Sequence, residues 1–234
     1  MWILCLHERH KNRRVNKSLS TKGGPLKFSD VIGILFPIAI AGGLIMFHQE
    51  FIAATMAHPF LMGFAKVACL ATYGECLKMR LAKGEWSIEA PVMRFIVWGL
   101  FGIWFAFAFP YASAGVTALI EKRLWLNGSK IWLAFSKSLW INILGGYAFS
   151  MMLVHQYLNA CIDVRRLISL TEFAETMSGR KAATTWYRYI PLTILFFWLP
   201  AHTVTFLLPP VYYVLMAAVL SLALGFFLTV MQRK

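Results

Sequence analysis

Of 234 residues, 59% are hydrophobic and only 14% charged, well below the roughly 25% charge of an ordinary soluble domain. With a mean hydropathy of +0.63, the chain reads as an all-α, polytopic membrane bundle, with room for about six spans of roughly 20 residues and for no second sizeable domain. A net charge of +13 would suggest nucleic acid in a soluble chain; here it is taken as topology, and nucleic acid is excluded as a partner.

The first 28 residues form a basic arm with one acid, Glu8, against seven bases up to Lys27. The arm reads most simply as an orientation signal, with a targeting leader such as a mitochondrial one, or a surface-binding arm, as the alternatives. Residues 29–234 form the bundle. Uncharged apolar stretches run over Val31 to Phe47, Pro59 to Cys76, Phe95 to Ile120, Leu139 to Ile162, Tyr189 to Leu208 and Val211 to Met231. The last two belong to one uncharged run of 44 residues, Tyr189 to Gln232, which as a single helix would be twice the thickness of a bilayer. Pro209 and Pro210 remove two amide donors where the run must turn back. Between the fourth and fifth spans, Asp163 to Arg188 places Val164, Leu167, Ile168, Leu170, Phe173, Ala174 and Met177 at helical spacing. This predicts an amphipathic helix on the inner surface, ending near Ser178 and Gly179, against anionic lipid headgroups; a solvated connecting helix is the alternative.

Six spans place 18 of the 23 Lys and Arg on the side that carries both termini and 4 on the other, with Lys66 inside a span. Both ends are therefore expected on the cytoplasmic or matrix side. Trp86, Trp186, Tyr187 and Tyr189 beside the basic loops, and Trp125, Trp132 and Trp140 beside the opposite one, are expected as interfacial anchors. Pairs of small residues, Ala39 and Gly43, Gly99 and Gly102, Gly145 and Gly146, Ala114 and Ala118, are expected to let helices approach closely.

A charge held near mid-span costs roughly 2.5 to 3.5 kcal/mol, so each polar residue there needs a partner, a wet cavity or a role. Lys66 stands seven residues into the second span, about 10 Å deep; it is the candidate cation of a polar cavity for anionic solutes, or else an ion pair or a snorkelled stem. Glu75 points away from Lys66 and is expected to be satisfied by Lys78 at i+3. Asn142, His155 and Asn159 on the fourth span, and His202 after the helix-breaking Pro200 on the fifth, complete the intramembrane polar set. Interhelical hydrogen bonding explains them without activity; a kinked helix beside a histidine is also how a polar path is built.

No nucleophile with its base, no metal-ligand motif and no phosphate loop is present, so neither an enzyme nor a cofactor is expected. His48, Glu50 and His58 are a weak candidate metal set, and His155 with His202 a weak candidate pair of haem ligands.

Ala57, His58 and Pro59, followed by Leu70, Gly74 and Glu75 at eleven, fifteen and sixteen residues beyond the proline, resemble the opening signature of the Mpv-seventeen and peroxisomal membrane protein family. Arg94 and Phe95 leading to Gly99 are similar to the start of its next helix, and Pro200, Pro210 and Tyr213 to its terminal motif. The likeness covers about Met56 to the C-terminus. Glu75 replaces the family's Asp, Ile103 and Trp104 its Gly-Pro, Ile141 and Asn142 its Asp-Gln, and Val214 its final Arg; the first span is an addition. The resemblance implies a small helical protein of a mitochondrial inner or bacterial cytoplasmic membrane, associated with weakly selective passage of metabolites. Two readings follow: a channel-like permeability protein, acting as a tight bundle or homo-oligomer, and a non-transporting membrane scaffold with a basic inner face.

Overall fold

The computed structural model describes residues 27–231; the basic arm before Lys27 and the terminal Arg233 and Lys234 lie outside the described residues. Nine helices follow one another, and no strand occurs among the described residues: α1 (Phe28–Met46), α2 (His48–Ala57), α3 (Pro59–Lys83), α4 (Pro91–Glu121), α5 (Lys130–Leu144), α6 (Tyr147–Val164), α7 (Leu170–Met177), α8 (Ala182–Leu207) and α9 (Tyr213–Met231). The chain is an all-α bundle. Helices α1, α3, α4 and α8 are long and apolar enough to cross a membrane, and α5 with α6 makes a fifth span if the pair, bent by 46°, is taken together. The sixth expected span falls on α9, an apolar helix of 19 residues.

Prolines and glycines mark most of the boundaries. Pro59 and Pro91 open α3 and α4, where a missing amide costs nothing. Gly84 closes α3 in the left-handed conformation at φ 77°. Gly146, at φ 65°, separates α5 from α6. Just before it, residues Trp140–Leu144 widen into a π turn, and the Gly145 amide reaches back to Trp140 O at 2.7 Å. This break divides the stretch expected as one span, Leu139 to Ile162, into two helices bent by 46°.

Helices α3 and α4 form the central hairpin. They touch backbone to backbone at Gly63 and Gly102: a Cβ on Gly102 would collide with Gly63 O. Gly99 similarly receives the ring of Phe64. The other small pairs behave differently. Among the described residues nothing lies within 4 Å of the Cβ position at Gly42 or Gly43.

The core is aromatic, with Phe101, Phe105 and Phe109 of α4 at 7% exposure or less on its axis. At their successive levels they meet His155, Tyr147 and His202, while Phe206 and Tyr213 cover Phe109.

Two ends of the bundle are defined by contacts. At the basic end, Arg80 and Trp86 converge on Asp30 at the start of α1, with Arg80 Nη2 donating at 2.6 Å and Trp86 Nε1 at 2.7 Å. Lys27 Nζ donates to Gly84 O there. At the opposite end, His48 meets the Tyr212 hydroxyl at 2.6 Å, joining α2 to the Pro209–Pro210 turn. Helix α9 then runs back past Gly74, which touches Leu222. The described chain therefore starts at the end toward which α9 returns.

Two expectations need correction. The amphipathic segment is not one long helix: Arg165 at φ 58° ends α6, and α7 is a two-turn helix started by a capping box of Ser169 and Glu172. Its Phe173 turns inward onto Tyr157, beside buried Ile168, while Leu167 and Leu170 stay exposed. Trp186 is likewise no interfacial anchor. It is buried against Phe149 and Ile190.

Candidate functional site

Two polar sites occupy opposite ends of the bundle. The first surrounds Lys66. A side chain of α3 that is 8% exposed, it donates from Nζ to Thr55 Oγ1 on α2 at 2.8 Å and sits 4.4 Å from the centre of the Phe51 ring. Both partners are neutral. No carboxylate pairs with Lys66 among the described residues, so the expected alternative of an ion pair is not what satisfies it. The hydroxyl and the ring face offset part of the burial cost, leaving the charge itself uncompensated.

The ammonium lies in the wall of a cavity of about 360 Å³. Ile52, Thr55, Met56 and Pro59 line one side; Ala106, Phe109 and Pro110 of α4, and Pro209, Pro210 and Tyr213 of the turn, line the other. The two prolines that reverse the chain thus also shape the pocket. Beneath it, Val67, Phe105 and Phe109 are packed and buried. A second groove of about 430 Å³ continues along α4 through Ser113, Ala114, Thr117, Ala118 and Glu121, and shares Pro110, Pro210 and Tyr213 with the first.

The second site is a polar network at the basic end, centred on Arg94. Although one turn inside α4, this side chain is only 8% exposed. Its Nε donates to Glu89 O at 2.8 Å and its Nη1 to Asn159 Oδ1 at 3.1 Å. Ion pairs run to Asp163 at 3.3 Å and Glu75 at 3.4 Å. Trp98 Nε1 donates to the other Glu75 oxygen at 2.8 Å. Glu75 is therefore held across α3 and α4 by Arg94 and Trp98. Asn159 Nδ2 donates to His155 O, and the His155 ring packs on Trp98 and Phe101.

Between the two sites, Asn142 and His202 form a third, smaller contact. Asn142 Nδ2 donates to Ser138 O at 2.8 Å, and its Oδ1 stands 3.1 Å from His202 Nδ1. Near Pro200 the Leu199 carbonyl accepts from the Ser138 and Thr203 hydroxyls, which ties α8 to α5. His155 and His202 sit at levels of α4 marked by Phe101 and Phe109, about 12 Å apart by helical rise, with Tyr147 between them. The fold does not bring them together as opposed ligands.

Of the motif residues, Arg94 is the hub of the network, Tyr213 lines the cavity and packs on Phe109, and Gly74 and Gly99 admit Leu222 and Phe64. His58 is an exposed junction between α2 and α3. His48 is bonded to Tyr212, and no cluster of three metal-ligating side chains occurs among the described residues.

Sequence reasoning missed Thr55, Asp163 and Trp98. Asp163 carried a usable signal: it lies four residues after Asn159 and eight after His155, on the same helical face. No family model, curated protein or solved structure matches the chain.

Proposed function

We propose that this protein is a small permeability protein of a cellular membrane, passing anionic metabolites, with the Lys66 cavity as the entry vestibule. The observation that carries this reading is the uncompensated ammonium of Lys66 in the wall of a cavity at the end opposite the basic loops. A buried cation without a counter-charge attracts an anion, and low-dielectric walls focus its field. The aromatic axis of Phe101, Phe105 and Phe109 closes the interior below the vestibule, so passage requires those rings to move or subunits to associate. The likeness of Ala57 to Glu75, and of Pro200 to Tyr213, to the Mpv-seventeen family supports the same role. The charge asymmetry supports both termini on the cytoplasmic or matrix side, with the vestibule facing away.

Purified protein in liposomes tests the proposal. Small carboxylates should leave loaded vesicles faster than from protein-free vesicles, and Lys66→Met should remove most of that excess. Flux equal to that of empty vesicles would overturn it and favour the scaffold reading, which predicts salt-sensitive recovery of partners instead.

A further inference from the structure

The vestibule has a composition more specific than a generic anion path. Its charged group is one ammonium, and its nearest polar neighbour is one hydroxyl. Lys66 Nζ donates to Thr55 Oγ1, so the Thr55 hydroxyl hydrogen remains free to donate outward. The pair therefore offers two donors side by side, which matches the two oxygens of a carboxylate.

All other lining side chains of this cavity are apolar apart from the Tyr213 hydroxyl. The shared walls at Pro110, Pro210 and Tyr213 lead into the second groove, where Ala114 and Ala118 form an apolar floor edged by Ser113 and Thr117. From Pro110 to Ala118 this floor is about 12 Å long by helical rise. Glu121 closes its far end, which disfavours a second anionic group there.

We propose that the Lys66 cavity and the α4 groove together form a binding site for aliphatic monocarboxylates, with the carboxylate on Lys66 and Thr55 and the alkyl chain along Pro110, Ala114 and Ala118. This rests on the reading of the cavity as an anion vestibule and narrows its substrate class. A dicarboxylate of similar size is rejected, because its second charge meets an apolar wall or Glu121. Affinity rises with chain length by about fourfold per methylene while the groove lasts, the equivalent of about 0.8 kcal/mol per buried CH₂.

The test is calorimetric titration of protein in lipid nanodiscs, with protein-free nanodiscs subtracted, using butyrate, hexanoate, octanoate and succinate. Expected are stronger binding from butyrate to octanoate, no binding of succinate, and loss of at least tenfold for octanoate in Lys66→Met. Ala114→Phe, which fills the groove away from Lys66, should weaken octanoate and spare butyrate; it controls for a Lys66 variant that merely misfolds. Flat chain-length dependence, succinate binding as tight as hexanoate, or octanoate binding untouched by both variants would overturn the proposal. Because no flux is read, the two readings separate. Carboxylate binding without passage leaves this site standing and removes the permeability role; Lys66-dependent flux without chain-length-dependent binding does the reverse.

Discussion

Arg94 Nη1 and Glu75 Oε2 meet 3.4 Å apart, joining α4 to α3 where both side chains are almost wholly withdrawn from solvent. Asn159 and Asp163 of α6 complete the cradle. Removing one partner of such a buried pair strands the other charge, whereas removing both does not. Arg94→Met should therefore lower stability by about 3 to 5 kcal/mol, measured by denaturant unfolding in detergent. Arg94→Met combined with Glu75→Gln should cost clearly less than the two single changes added together. Strict additivity would show that the pair is not coupled.

The backbone approach of Gly63 and Gly102 makes a sharp contrast with Gly43. A methyl on Gly102 would collide with Gly63 O, and α3 and α4 would have to separate. Gly102→Ala should cost about 1 to 3 kcal/mol as overpacking. Gly43→Ala, with open space around it, should leave the melting temperature unchanged or slightly raised. Equal effects at the two positions would contradict the packing described.

At the surface, Arg166 and the Ser169 amide hold the Glu172 carboxyl down from the ordinary 4.5 to about 2, the guanidinium being the larger cause. A depressed carboxyl contributes stability above its unfolded value and loses it as pH falls toward the folded one. The capping of α7 should therefore survive at pH 5 and fade between about 4.5 and 2. A carboxyl ¹³C titration should find the Glu172 midpoint near 2, moving up in Arg166→Gln. A wild-type midpoint at 4.5 would show that the bidentate contact does not persist in solution.

Span positions and the final reversal were legible because hydropathy and proline act locally: Pro209 and Pro210 mark the turn by what they cannot donate. Lys66 was legible too, as a lone charge in an apolar run. Arg94 was not. It reads as one more loop base preceding Phe95, and its partners lie in α3 and, 65 and 69 residues away, in α6. Burial of a charge depends on which helices become neighbours, and no local pattern encodes that. The break at Gly145 and Gly146 was hidden differently, since the paired glycines fit equally well as a packing contact. The two-turn α7 was obscured because its inward Phe173 and its outward Leu170 both satisfy the same helical period.

The charge of Lys66 is the centre of the functional account, and inverting it tests that account most directly. Reversal potentials across bilayers holding purified protein, with unequal salt on the two sides, should report preference for anions in the wild type. Lys66→Glu should shift that preference toward cations or abolish conductance. Identical reversal potentials and identical flux in the two proteins would contradict the role assigned to this side chain.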